Sequence, residues 1–442
     1  MQAPASPERT IAAIATAPAA GSVGILRLSG PEALEVARQL APSVPAAPQP
    51  RRAYLTPFTS HEGTPLDEGL FLYFQAPHSF TGEDVVELQG HGSPRLLQLL
   101  LRQVLADARV RLASPGEFTR RAFLNGRIDL TRAEAVADLV AADSEASVRA
   151  AAAGLSGALA ARVEALEQPL RALHADLEGV LSFPDEAEDA DAGAAERIAA
   201  LQQDAAALLQ HAAQGRLVRR GARVALFGPA NAGKSTLFNR LLEEARALVD
   251  EEPGTTRDVL EARVEWQGLA LTLLDTAGLR EAPGRVEALG MARTCEAVAG
   301  ADLALLVLPP DVSEAAAAGW AAQAGTTPLL RVASKADLSA GEGLQVSGLT
   351  GEGVDALRAA VLERLWGAST PQAVVLVSER HAEALSRTAT HLAQAALACE
   401  VSTLEVVAGE LGFALEALGE ISGTHASEAL LDAIFKRFCI GK

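Results

Sequence analysis

The chain has 442 residues, 49% of them hydrophobic and only 4% aromatic, with a formal net charge of −18. That length predicts two to four domains with cores of their own, and the excess of acid excludes a protein that holds nucleic acid through its bulk surface. Three scattered cysteines (Cys295, Cys399 and Cys439) exclude a disulfide framework and fit a reducing cytoplasm, and no apolar run is long enough to cross a bilayer.

Residues 8–120 alternate short apolar runs with turns. Ile11–Ala15, Val23–Leu28, Gly69–Phe74 and Val85–Leu88 read as strands, and Pro31–Leu40 and Pro94–Leu105 as helices, giving an α+β module over residues 1–119. Ile11–Ala20 is not a secretory leader, because Glu8 and no basic stretch precedes it. From 120 to 216 the chain turns helical: Thr131–Ala153, Gly157–Leu181 and Gly193–Ala213 carry apolar residues at three- and four-residue steps. Ser182–Asp191, with its proline and acidic run, is a solvated loop between helices. Residues 217–371 read as an α/β nucleotide domain. Its expected strands are Val224–Phe227, Leu260–Trp266, Leu269–Leu274, Leu303–Leu308, Leu329–Ala333 and Leu344–Val346, with a helix at Val354–Leu365. The second and third strands flank Gln267-Gly268 and predict an antiparallel hairpin. Residues 372–442 are helical again, so the nucleotide domain is expected as an insertion into one discontinuous helical bundle, standing on a stalk.

The chemistry is densest in Val224–Leu237. An apolar strand ends at Phe227; Gly228, Gly233, Lys234 and Ser235 follow in the spacing G-x-x-x-x-G-K-S; a helix continues from Thr236. In that context the loop over Asn231, Ala232 and Gly233 presents backbone N–H groups to phosphates, helped by the helix N-terminus. Lys234 reaches the β- and γ-phosphates, and the Ser235 hydroxyl holds Mg²⁺. Asp275-Thr276-Ala277-Gly278 follows another apolar strand as a second phosphate-sensing element. Ser334-Lys335-Ala336-Asp337 is similar to the guanine-reading pattern N-K-x-D, in which the Asp accepts from the N1 and N2 groups of the base. Adenine offers no such donor pair, so Asp337 specifies GTP. Ser347-Gly348-Leu349 is expected to face the base with its backbone. Asp250-Glu251-Glu252-Pro253-Gly254-Thr255-Thr256 lies where a switch loop belongs, and Thr256 can complete the Mg²⁺ shell. Leu279 stands where a water-orienting glutamine would follow DTAG. Only four lysines occur (Lys234, Lys335, Lys436 and Lys442), and two of them sit in nucleotide motifs.

Taken with GTTRD, DTAGLRE and the terminal Phe438-Cys439-Ile440-Gly441-Lys442, this set resembles the MnmE (TrmE) tRNA-modification GTPases. The resemblance extends to SFTGEDVVELQGHG at 79–92 and PGEFTRRAFLNGRIDLTRAEAVADL at 115–139. It implies a K⁺ ion beside the phosphates, with Asn231, Thr255 and the backbone of Asp250 and Glu252 as ligands. It also implies that Glu287 is the catalytic residue that orients the attacking water. For the N-terminal domain it implies dimerisation and binding of a 5-formyl-tetrahydrofolate-type cofactor, at positions matching Arg27, Glu87, Arg127 and Lys442. Cys439 is a candidate nucleophile at that pocket, with a small buried residue as the alternative and slightly favoured reading; His91 reads as a turn residue.

The expected fold is therefore an N-terminal α+β folate-binding domain, a discontinuous helical bundle and an inserted Ras-like P-loop GTPase domain. The resemblance implies a cytoplasmic homodimer that hydrolyses GTP and works with the FAD-dependent flavoprotein MnmG (GidA), FAD being held by that partner. Together they would build an aminomethyl-type (carboxymethylaminomethyl) group on C5 of the tRNA wobble uridine. The competing readings are a ribosome-assembly GTPase without modification chemistry and a folate-dependent one-carbon transferase.

Overall fold

The computed structural model describes residues 9–183, 193–243, 260–276, 294–339, 343–367 and 378–441. The chain divides into two compact units, Met1–Ala137 with Glu416–Lys442, and Asp138–Leu415. No helix among the described residues is long and apolar enough to cross a membrane.

The first unit is built on strands β1 (Thr10–Ile14), β2 (Gly21–Ser29), β3 (Ala53–Thr59), β4 (Pro65–Phe74), β5 (Val85–Gly92) and β6 (Val110–Leu112). They form one sheet in the order β3-β4-β5-β2-β1-β6, antiparallel except for the parallel pair β1/β6. Helices α1 (Ala33–Leu40) and α2 (Pro94–Leu105) cover one face. Alternation along the strands sends Leu26, Leu28, Val86, Leu88, Phe58, Phe71 and Tyr73 into the core with Val36, Leu40, Leu100 and Val104 of the helices. The opposite face therefore carries Arg27, Glu87, Gln89, Leu55 and Leu70. Helix α3 (Glu117–Leu124) lays Phe118 against Ile11 and Ala13. Two strands, β3 and β6, escape the sequence reading. Pro57 argues against a strand by removing a donor, but β3 is an edge strand, where that loss is tolerated.

Helix α4 (Leu130–Ala141) leads into the second unit, which begins with α5 (Glu145–Leu155), α6 (Ala158–Ser182) and α7 (Ala194–Arg220). The single helix expected over Thr131–Ala153 is broken at Ala142–Ser144. Ser144 and Ser147 form a reciprocal capping box that starts α5 afresh. The nucleotide domain follows: β7 (Ala222–Phe227), α8 (Lys234–Glu243), β8 (Leu260–Trp266), β9 (Leu269–Asp275), β10 (Leu303–Leu308), α9 (Glu314–Ala322), β11 (Leu329–Ser334), β12 (Leu344–Val346) and α10 (Val354–Trp366). Its sheet runs β12-β11-β10-β7-β9-β8, parallel except for edge strand β8. Both faces are buried: Val224, Leu226, Leu273 and Leu305 point to one core, Ala225, Phe227, Leu274 and Leu306 to the other.

Gln267 and Gly268, with φ of 51° and 83°, make the two-residue turn of the β8/β9 hairpin. The sheet does not stand on a bare stalk: Ala150 and Ala151 of α5 and Val218 of α7 belong to its core, and the Ala146 N–H donates to the Gly268 carbonyl at 2.8 Å. Beyond it, α11 (Glu379–Val401) returns along α7, joining the helical segments before and after the nucleotide domain.

Helix α12 (Leu404–Ser422) then leads back to the first unit, where α13 (Glu428–Phe435) completes the structure. Leu431, Ile434, Phe435 and Phe438 pack on Leu130, Ala133 and Phe123, and the Gly116 N–H donates to the Cys439 carbonyl at 3.4 Å.

Candidate functional site

In an open parallel sheet, ligands gather at the carboxyl ends of the strands where the winding reverses. Strand β7 is that reversal point, with β9 on one side and β10 on the other. Register places Asp275 opposite Leu226, one residue before the end of β7, and pairs Leu306 with Phe227. Three of the sequence motifs thus leave the carboxyl ends of parallel strands of one sheet: 228–235 after β7, Asp275-Thr276 at the end of the adjacent β9, and 334–337 at the end of β11, which β10 separates from β7.

The loop after β7 needs its glycines. Gly228 has φ 140°, and a Cβ there would stand 2.3 Å from the Val307 carbonyl oxygen of β10. Asn231 (φ 59°) and Gly233 (φ 82°) turn the backbone so that α8 starts at Lys234. Ala232 is buried beneath the turn, whereas Asn231, Ser235 and Thr236 are exposed on it. Lys234 is only 5% exposed, and its Nζ donates to the carbonyls of Gly228 and Pro229 at 3.1 and 2.7 Å. Asp275 is fully buried, and Thr276 Oγ1 donates to the Leu226 carbonyl at 2.8 Å, tying β9 to β7. A hydroxyl at a helix start and a strand-end carboxylate are hard-oxygen groups of the kind that suit Mg²⁺.

The 334–337 and 347–349 stretches meet around a cavity of about 260 Å³ lined by Gly233, Thr236, Ser334, Lys335, Asp337 and Gly348, among others. Ser334 Oγ donates to the Leu308 carbonyl at 3.0 Å, so its hydroxyl is engaged within the sheet. Lys335 adopts φ 57°, and the Ala336 N–H donates to Val346 at 3.3 Å. Ser347 is wholly buried and its Oγ donates to Asp337 Oδ1 at 2.6 Å. Leu349 is exposed.

On the open face of the first unit, Arg27 and Glu87 are cross-strand partners. Arg27 Nε and Nη2 donate to Glu87 Oε1 at 2.9 and 2.8 Å, Gln89 Nε2 donates to Oε2 at 2.9 Å, and the guanidinium lies 5.7 Å from the Phe118 ring. Arg27 Nη1 also donates to the Gly441 carbonyl at 3.4 Å, bringing the chain's tail to this pair. Arg127 is exposed and leans its aliphatic stem over Gly82, while Asn125 Nδ2 holds the Thr81 carbonyl at 2.7 Å. Two expectations are corrected here. Cys439 is exposed and not a small buried residue. His91 lies within β5, its Nδ1 2.7 Å from Asp67 Oδ1, and is not a turn residue. Burial pushes the Asp67 carboxyl up, but the bonds from the His91 N–H and ring outweigh it and hold the group below its ordinary value.

Sequence reasoning assigned nothing to a buried charge network that joins the 79–84 loop to α3. Arg121, 2% exposed, binds Glu83 at 3.0 Å, Glu117 at 2.9 Å and the Arg9 carbonyl at 2.9 Å; Ser29 Oγ donates to Glu83 at 2.7 Å. Arg111 closes the far side of Glu117. Burial raises the Glu117 carboxyl, yet Arg111, the Ser114 N–H and Arg121 together hold it below the usual range. The only signal was an acid and an arginine in two stretches 38 residues apart.

Asp250, Glu251, Glu252, Pro253, Gly254, Thr255, Thr256, Ala277, Gly278, Leu279, Glu287 and Lys442 lie outside the described residues.

A family model described as "MnmE helical domain" matches residues 130–439, and one described as "GTP-binding protein TrmE N-terminus" matches residues 10–127. The chain is 72% identical over 440 residues to the tRNA modification GTPase MnmE of Myxococcus xanthus, covering 99% of this chain and 100% of that one. It is 46% identical over 449 residues to the protein of the same name from Alkalilimnicola ehrlichii, covering 98% and 99%. The corresponding protein of Thiobacillus denitrificans is 43% identical over 443 residues, covering 98% of each chain.

Proposed function

This chain belongs to the MnmE family of tRNA modification GTPases, and on that premise we propose that it is a K⁺-dependent GTP hydrolase acting with the flavoprotein MnmG (GidA) to install a carboxymethylaminomethyl-type group on C5 of the tRNA wobble uridine. The observation that carries the reading is the gathering of phosphate and guanine motifs on one edge of one parallel sheet. The domains are an N-terminal folate-binding part (1–119), a helical part in two pieces (120–216 and 372–442) and the GTPase part (217–371).

In this reading the N–H groups over Asn231–Thr236 cradle the phosphates, and Lys234 turns from the loop carbonyls to the β- and γ-oxygens. Asp337 accepts from the guanine N1 and N2 groups beside Ser334, Lys335, Ala336, Ser347, Gly348 and Leu349. Ser235 and Thr256 would hold Mg²⁺, and Asn231, Asp250, Glu252 and Thr255 would hold K⁺; the ions supply positive charge against the phosphates. Asp275, Thr276, Ala277 and Gly278 sense the γ-phosphate, with Glu251, Pro253 and Gly254 in the switch loop, and Glu287 orients the water. Hydrolysis would then open and close the paired nucleotide domains.

For the other half of the chemistry, Glu87 is set between Arg27 and Gln89, suited to the amino and ring N–H groups of a pterin, and Arg127 and Lys442 suit the glutamate tail of a 5-formyl-tetrahydrofolate-type cofactor. The same face exposes Leu55, 70% accessible, beside its cross-strand partner Leu70, an apolar strip suited to pairing two copies as a homodimer. FAD enters only with the partner, and the work is done in the cytoplasm.

Nucleoside analysis of tRNA from a strain lacking this protein tests the reading. Loss of the C5 group from wobble uridines is expected. Intact wobble uridines with defective ribosomal particles would make the protein an assembly GTPase instead, and turnover of a formyl-folate by the isolated protein without tRNA would make it a one-carbon transferase.

A further inference from the structure

Helix α8 begins at the phosphate-binding Lys234 and, less than two turns later, carries Arg240. The guanidinium of Arg240 reaches across to the 347–349 loop: Nε donates to the Gly348 carbonyl at 3.1 Å and Nη2 to the Leu349 carbonyl at 2.6 Å, while Nη1 lies 3.6 Å from Glu243. The loop is pressed on the same helix, because a Cβ at Gly348 would stand 2.9 Å from the Leu237 nitrogen and 3.0 Å from its Cα.

A trans peptide is planar, so a carbonyl fixed toward α8 turns the following N–H to the opposite side. The two bonds from Arg240 therefore set the directions of the Leu349 and Thr350 N–H groups. Thr350 passes the constraint on: its N–H donates to Ser347 Oγ at 3.1 Å, and Ser347 Oγ donates to Asp337 Oδ1 at 2.6 Å. Ser334, whose hydroxyl is engaged by the Leu308 carbonyl, does not make that connection.

We propose that Arg240 is a positioning residue for guanine selection. It holds two successive carbonyls, so that the Leu349 N–H meets the 6-oxo group of the base and Asp337 is braced through Thr350 and Ser347. The proposal rests on reading the 260 Å³ cavity as the guanine site.

The test measures competitive binding of GDP, 6-thio-GDP and ADP to the full chain. The 6-thio base keeps the N1 and 2-amino donors but replaces the oxo acceptor with a weaker one. The unaltered protein should prefer GDP over both competitors. Arg240→Ala should lose about tenfold in GDP affinity, equivalent to ~1.4 kcal/mol, with a smaller loss for 6-thio-GDP, so that the ratio between the two narrows. Arg240→Lys, a single point donor in place of a fork, should recover part of the loss. Gly348→Ala, which would push the loop off α8, should narrow the ratio as well. Equal weakening of both guanine nucleotides by Arg240→Ala, or no weakening, overturns the proposal. An unaltered protein that holds ADP as tightly as GDP overturns the guanine reading of the cavity and the clamp with it.

Discussion

A hydroxyl 2.6 Å from a carboxylate, Ser347 on Asp337, fixes the acceptor pair that the proposed function aims at the edge of a guanine. Replacing that carboxylate by an amide reverses one of its two polarities, so Asp337→Asn should lower GTP affinity by about a hundredfold, from the loss of two charge-assisted bonds. The variant should favour xanthosine triphosphate, whose 2-oxo group can accept from the new amide; competition binding reads both effects. Asp337 was legible because four consecutive residues carry the motif. Arg240 was not, since 108 residues separate it from the carbonyl it holds. Glu117 was illegible for another reason: its partners Arg111, Ser114 and Arg121 lie within six residues, but only the turn between β6 and α3 brings them onto one carboxylate. Its lowered pKa means that its stabilising contribution is complete above the unfolded carboxyl value of ~4.3 and fades as pH falls through the lower folded value. Glu117→Gln should cost about 3 kcal/mol at neutral pH, by leaving Arg121 under-paired in the core. Stability of the variant should also depend less on pH below ~4.5, as urea unfolding at a series of pH values would show.

Elements were readable where a local rule fixed them. The β8/β9 hairpin followed from two turn residues between apolar runs, and Pro94 at the first turn of α2 marked a helix start that the structure keeps. The division of α4 from α5 was hidden because serines at 144 and 147 look like polar positions on the outer face of one long helix. Only the backbone reveals that Ser144 adopts extended φ and ψ of −145° and 159° and accepts the Ser147 N–H. Ser144→Ala should destabilise the second unit by about 1 kcal/mol, the usual worth of an N-cap, seen as an earlier thermal transition. The loss matters because α5 buries Ala150 and Ala151 in the core of the nucleotide sheet. Edge strand β3 was illegible for a different reason: the environment that excuses Pro57 exists only after β4 has paired with it.

For the whole molecule, the net charge of −18 and a GTP site on the inserted domain set the terms of its work. With so little bulk attraction for RNA, tRNA should come largely through the flavoprotein partner of the proposed function. In the proposed function Asn231, Thr255 and the backbone of Asp250 and Glu252 hold K⁺. Exchanging K⁺ for Na⁺ should slow GTP turnover at least tenfold, as should Glu287→Ala, measured as phosphate release. Equal rates in the two salts would remove Asn231 from a cation role. The succession of α+β, helical, α/β and again helical segments was legible from where apolar periodicity changes, and the return of the tail to the first unit was expected from resemblance alone. The structure gives that return its physical cause in Leu431, Ile434, Phe435 and Phe438 seated on Leu130 and Ala133.

That seating makes the timing of synthesis matter. The greasy strip at Phe123, Leu130 and Ala133 leaves the ribosome early, and its cover is translated only after the whole Asp138–Leu415 unit has followed. Until then a nascent chain carries a bare adhesive seam. A product cut short before Glu416 would keep that seam for good, and chaperones or proteases would meet it first.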